Sequence, residues 1–245
     1  MKIYGLIGNP LTHSFSQKYF TEKFKKESIA GCQYVNFEIK DLDKEIRQLK
    51  NDRDLCGLNV TIPYKFRIMA FLDEISPECR EINACNCINI LDGRWKGFNT
   101  DVTGFEKSFA PYLQPHHAKA LVLGTGGSSK AVVYVLQKLG IGFLLVSRNK
   151  EAVPGVIHYD DIDAALLQEF TIVINTTPAG MYPNVDGYPK LPYEAVSAKN
   201  YFFDLVYNPP RTVFLSRAEA MGALVKNGEQ MLVIQAEESW KIWSG

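Results

Sequence analysis

Residues 120 to 150 read ALVLGTGGSSKAVVYVLQKLGIGFLLVSRNK, and this stretch constrains the fold more than any other. An apolar run of strand length enters a glycine-rich turn, and a helical stretch with small residues near its start follows. Gly140 stands where a helix C-cap belongs, and a second apolar run ends in polar residues. A crossover through a helix obliges its two strands to lie parallel, so the sheet that contains them is a parallel one covered by helices. FTIVINTTPAGM (170–181) and YFFDLVYN (201–208) read as later strands of that sheet, each running into polar residues.

The first hundred residues alternate in the same way. KIYGLIG (2–8), CQYVNFEI (32–39) and LCGLNVTI (55–62, stopped by Pro63) read as strands, with helical spacing after the first and in LDKEIRQLK (42–50). KFRIMAFLDE (65–74) reads as a further helix. CNCINILD (85–92) and RWKGFN (94–99) read as strands joined by an Asp92-Gly93 hairpin turn. A chain of 245 residues, 46% of them hydrophobic, is long enough for two modest cores. The boundary falls in 101–118, where the hairpin ends and a strand-first unit begins. The expected fold class is α/β in two domains, a mostly parallel N-terminal domain and a Rossmann-type dinucleotide-binding domain.

Lys and Arg together number 27, as do Asp and Glu, which leaves no excess positive charge to neutralise a nucleic-acid backbone. The N-terminal residues are broken by Gly5, Gly8, Asn9 and Pro10, and no run is long and apolar enough to span a membrane. A soluble, untargeted protein is expected. Cys32, Cys56, Cys79, Cys85 and Cys87 form an odd set without a secreted framework, which suits a reducing cytoplasm. The four histidines supply no second ligand pair at a zinc spacing, so the thiols are read as structural and no metal is expected.

Gly124, Thr125, Gly126, Gly127 and Ser128 lie between a strand and a helix, where glycine lets the backbone approach a pyrophosphate. Ser129 replaces the third glycine of the full fingerprint, so the match is partial, and a purely structural turn is the alternative. The second strand ends in Ser147, Arg148, Asn149 and Lys150. An NAD enzyme commonly carries a carboxylate there, whereas this set suits a ribose 2′-phosphate, so NADP(H) is favoured over NAD. Ser14 and Ser16 offer donors to a carboxylate or, alternatively, ordinary N-cap chemistry. Asn59, Thr61 and Lys65 leave one strand, Asn86 the next segment, and Asn99 and Asp101 another strand end. In open α/β sheets such groups converge at the carboxyl ends of strands. A hydroxyl pair, several amides and one lysine describe a site for a small polyhydroxylated acid.

GNPLTHSFS, NVTIPYK, GFNTD, GTGGSSKA, INTTPAGM and NGEQMLVIQA, in this order and spacing, resemble the shikimate dehydrogenase family over residues 5 to 240. The resemblance implies a cytoplasmic two-domain enzyme that reversibly reduces 3-dehydroshikimate to shikimate with NADPH, as a monomer or homodimer. It implies a substrate domain over 1–101 completed by a returning helix at 229–245, with an NADP-binding domain over 102–228 and the cofactor between them. It places the catalytic pair on Lys65 and Asp101. It puts the substrate carboxylate on Ser14, Ser16 and Tyr207, and the hydroxyls on Thr61, Asn86, Asp101 and Gln235. Thr176, Gly180 and Gly228 fall on the cofactor side. Tyr64 stands where His or Phe is more usual, ACNCIN departs from a Val-Asn-Thr core, and SRNK keeps only the arginine of an Asn-Arg-Thr motif. Two alternatives remain: a quinate/shikimate dehydrogenase that also uses NAD, and a sensor without chemistry, which would be expected to have lost Lys65 or Asp101.

Overall fold

Two six-stranded sheets account for the alternation. The computed structural model describes residues 1–11, 14–149 and 154–245. It divides into two units, Met1–Thr100 with Gln235–Gly245, and Asp101–Ile234.

The first unit contains β1 (Lys2–Gly8), α1 (Phe15–Lys26), β2 (Cys32–Glu38), α2 (Leu42–Leu49), β3 (Leu55–Val60), β4 (Glu74–Ile75), α3 (Pro77–Ile82), β5 (Cys87–Leu91) and β6 (Arg94–Phe98). Its sheet runs β2-β1-β3-β5-β6-β4. The strands β2, β1 and β3 are parallel, β5 is antiparallel to both of its neighbours, and β4 is parallel to β6. Asp92 and Gly93 take positive φ at the β5–β6 turn, as a tight hairpin requires. The helix expected over 65–74 is absent. A short 3-10 turn at Arg67–Phe71 buries only Ile68, and the backbone becomes extended at Leu72. Glu74 and Ile75 then pair with Lys96 and Gly97, so a sheet edge has overridden local helix propensity.

The second unit contains most of α4 (Thr100–Phe109), then β7 (Lys119–Leu123), α5 (Gly127–Lys138), β8 (Gly142–Ser147), β9 (Val156–His158), α6 (Ala164–Glu169), β10 (Ile172–Asn175), β11 (Tyr201–Asp204), α7 (Val213–Ala220) and β12 (Leu224–Lys226). All its strands are parallel, in the order β12-β11-β10-β7-β8-β9. That is the doubly wound order of a Rossmann sheet, with the reversal between β7 and β10. Four consecutive residues of β7 and all four of β10 are wholly buried.

The last helix, α8 (Glu229–Ser244), starts in the second unit and belongs to the first from Gln235 onward. Trp243 stacks on Tyr4 with ring centroids 5.1 Å apart and donates to the Ile88 carbonyl at 2.9 Å. Glu237 accepts from Tyr19 and from Lys23, which is itself buried on α1. Apolar burial and an ion pair therefore hold the end of the chain on the first unit. No helix among the described residues is long and apolar enough to cross a membrane.

Candidate active site

In the first sheet β1 lies between β2 and β3, so the chain order reverses at β1 and β3. Ligands collect outside the carboxyl ends of strands at such a point. The segment after β1 leads to Ser14, whose hydroxyl caps α1 by accepting from Gln17 N at 3.3 Å. Ser16 is buried in the first turn. The N-cap alternative for Ser14 is thus realised, at a helix N-terminus whose positive end favours an anion.

The segment after β3 carries Thr61 and Lys65. Thr61 N donates to the Ile7 carbonyl and Tyr64 N to the Thr61 carbonyl, both at 2.9 Å. The Tyr64 hydroxyl reaches the Ile39 carbonyl at 2.5 Å, an anchor that neither His nor Phe supplies in the same way. Cys85 N donates to the Lys65 carbonyl at 2.7 Å. Main-chain bonds on both sides therefore determine where the half-buried lysine emerges.

Behind this turn lies a buried polar network. Asn59 Oδ1 accepts from the Tyr34 hydroxyl at 2.8 Å, while its Nδ2 donates to Ser239 Oγ at 2.9 Å and to the Asn86 carbonyl at 3.3 Å. Ser239 donates to the Gln235 carbonyl at 2.9 Å and lies 3.3 Å from Thr100 Oγ1. Thr100 also reaches Gln235 Oε1 at 3.4 Å. Asn86 Oδ1 accepts Thr100 N at 2.6 Å, and Asn86 Nδ2 donates to Thr100 Oγ1 at 3.1 Å. Burial pushes the Tyr34 phenol well above its ordinary pKa, partly opposed by a hydrogen bond from Ser16. Ser16, Asn59, Asn86 and Gln235, chosen from four separate motifs, are thus one connected set.

Three members of that set escaped sequence reasoning. Thr100 stood inside the GFNTD motif unremarked, and Tyr34 and Ser239 carry no local signal. Asn99, read as a strand-end group, is buried and donates to the Ala84 carbonyl at 2.8 Å. Cys85 and Cys87 flank Asn86 as buried thiols, and burial pushes the Cys87 thiol up to about 12.

The second unit holds Asp101, Tyr207 and every cofactor candidate among the described residues. Asp101 is buried in the first turn of α4. Gly124, with φ +107°, ends β7, and a Cβ there would stand 2.8 Å from Thr176 Oγ1 and 2.9 Å from Thr177 Cγ2. Thr176 follows β10, the other strand at the reversal, and donates to the Leu123 carbonyl at 2.7 Å. Gly126 caps α5 without a side-chain bond, and Cβ atoms at Gly126 or Gly127 would meet nothing within 4 Å. Ser129 accounts for the missing glycine: it is buried and its hydroxyl turns back to the Gly126 carbonyl at 2.7 Å. An uncapped helix N-terminus beside open, Cβ-free backbone fits a pyrophosphate.

At the end of β8, Ser147 Oγ accepts from Asn149 N at 3.1 Å, and Arg148 is exposed. His158, opposite Ser147 in the β9 register, bonds the Arg148 carbonyl through Nε2 at 3.1 Å. Lys150 lies outside the described residues. Gly228 is needed for close approach, since a Cβ there would run into the Leu205 main chain. Tyr207 is half-buried just beyond β11, where burial raises its phenol pKa.

Asp204, also missed by sequence reasoning, organises these loops. Its carboxylate accepts from Thr212 Oγ1 at 2.6 Å, and from Val206 N and Asn175 Nδ2 at 3.0 Å each. Asn175 Oδ1 in turn accepts from Thr177 N at 3.0 Å and Thr177 Oγ1 at 2.6 Å. Burial outweighs these bonds and moves the Asp204 pKa up to about 6.

The sequence profile of the shikimate dehydrogenase substrate binding domain matches residues 6–88. The shikimate dehydrogenase (NADP(+)) of Caldicellulosiruptor saccharolyticus is 34% identical over 99% of this chain and 92% of its own length. The chain belongs to the shikimate dehydrogenase family. The crystal structure of shikimate dehydrogenase from Aquifex aeolicus superimposes with a TM-score of 0.89 at 30% identity, covering all of this chain and 93% of that one. Shikimate 5-dehydrogenase from Thermus thermophilus, solved in complex with NADP(H) and shikimate, gives 0.83 at 28% identity, covering 100% and 94%. Family membership therefore extends through both units of the chain, beyond the residues that the substrate-domain profile matches.

Proposed function

We propose that this protein is an NADP-dependent shikimate dehydrogenase that interconverts 3-dehydroshikimate and shikimate. The observation that carries the reading is the joining of Ser16, Asn59, Asn86 and Gln235 in one buried network behind the Lys65 turn. Full-length similarity to NADP(+)-dependent relatives supports the cofactor. Five thiols suit a reducing cytoplasm.

The first unit serves the substrate and the second the cofactor. Ser14, Ser16 and Tyr207 take the carboxylate, and Asn59, Thr61, Asn86, Asp101 and Gln235 address hydroxyls. Gly124 to Ser128 carry the pyrophosphate, Ser147, Arg148 and Lys150 the 2′-phosphate, and Thr176 and Gly228 border the nicotinamide side. When bound, NADPH supplies the hydride. Lys65 supplies the proton that the developing alkoxide needs and takes it back in the reverse direction. Its ammonium also stabilises the charge on that oxygen, so one residue provides both terms. Asp101 orients the ammonium and holds a neighbouring hydroxyl.

The test is the absorbance of reduced cofactor when purified protein meets shikimate and NADP, run beside Lys65→Ala. A fall in kcat of roughly 10²- to 10⁴-fold with shikimate binding retained is expected. A wild-type protein that binds shikimate and turns nothing over would replace this reading with the sensor.

A further inference from the structure

Ser239 is wholly buried on α8, and three of its neighbours come from different elements: Asn59 at the end of β3, Thr100 at the start of α4, and Gln235 one helical turn back. The direction of each hydrogen bond follows from what each group has to give. The Asn86 carbonyl can only accept, so Asn59 must turn its amide nitrogen towards it. Ser239 spends its single hydrogen on the Gln235 carbonyl, so its oxygen is left to accept the second Asn59 amide hydrogen. Tyr34 donates to Oδ1 on the opposite edge. Both Asn59 donors are then committed, and what the amide retains is acceptor capacity on Oδ1.

Resting on the function proposed above, we infer that Ser239 is a positioning residue for substrate selection. It locks the Asn59 amide in one orientation, so that Asn59 meets a substrate hydroxyl as an acceptor and discriminates against a carbonyl or ether oxygen at that place. An alanine at 239 leaves the Asn59 amide with an unanswered buried hydrogen and only the Asn86 carbonyl and Tyr34 to hold it, so Oδ1 is less firmly aimed. Tyr34 holds the same amide from its other edge.

The test is a double-mutant cycle on the full-length protein, oxidising shikimate with NADP. Wild type, Ser239→Ala, Asn59→Ala and the double variant are compared, with KM measured for shikimate and NADP separately. Ser239→Ala should raise the shikimate KM roughly five- to tenfold, with the NADP KM changed by less than about twofold. The effect should vanish in the Asn59→Ala background. Equal effects in both backgrounds, a parallel rise in both KM values, or an unchanged shikimate KM would each overturn the inference. Should Ser239→Ala not fold, Tyr34→Phe removes the bond on the other edge with little change of volume and is subject to the same cycle and the same outcomes. A wild-type protein inactive on shikimate is a separate result that removes the functional reading first and the role of Ser239 with it.

Discussion

In the first unit the candidate substrate groups are side chains that hydrogen-bond to one another. In the second the candidate pyrophosphate groups are main-chain amides at a glycine turn, left open at Gly126 and Gly127. The first arrangement gains direction from a network that is satisfied before any ligand arrives. The second gains it from the end of a helix and requires only that nothing project into the space. A polyhydroxylated ring has to be distinguished from its analogues atom by atom, whereas a pyrophosphate is the same in every dinucleotide. Side-chain deletions should therefore be felt on the substrate side and side-chain additions on the cofactor side.

Gly124→Ala is the strongest way to break this contrast. The added Cβ meets Thr176 Oγ1, which is held on the Leu123 carbonyl, at a φ that L residues rarely adopt. The NADP KM should rise by about tenfold or more while shikimate binding, measured by calorimetry without cofactor, stays intact. A loss of both would mean that the two sites are not chemically separable. Asn86→Ala comes next and should do the opposite. It deprives Thr100 N of its 2.6 Å acceptor, so a rise of about fivefold or more in shikimate KM and a loss of roughly 1–3 kcal/mol in denaturant stability are expected, with NADP affinity unchanged.

The smallest effect concerns pH. The folded-state pKa of Asp204, about 6, is above its ordinary 3.8, so the folded protein holds this proton to higher pH than the unfolded chain does. Its contribution to stability is then greatest below about pH 4 and is lost as the pH rises through about 6, a change on the order of 1–3 kcal/mol. Asp204→Asn should flatten that part of the stability profile, measured by urea titration at several pH values. The first unit's network, being uncharged, should show no such slope when Asn86→Ala is compared with the parent across the same range.

Legibility in the sequence divided along a similar line. The turn after β7, the Asp92-Gly93 hairpin and the N-cap at Ser14 depend on a few adjacent residues and could be read from them. The stretch at 65–74 misled, because its helical spacing was local while the pairing of Glu74 and Ile75 with β6 was not. Ser129 looked like a defect in a glycine pattern until its bond to the Gly126 carbonyl showed the hydroxyl turned back onto the first turn of the helix. Tyr34, Ser239 and Asp204 had no signal at all. A tyrosine in a strand, a serine in a helix and an aspartate at a strand end are unremarkable until the partner is known.

By itself the sequence determined the alternation of strands and helices, the glycine turn that admits a phosphate and the lysine that follows Pro63, since backbone conformation is decided over a few residues. The tertiary structure decided the strand orders, the return of α8 and the meeting of Asn59 with Ser239, 180 residues apart in the chain. The physical reason is that a buried hydrogen bond is specified by two groups reaching the same place with their hydrogens correctly directed. That condition belongs to the packed chain, and no short segment carries it.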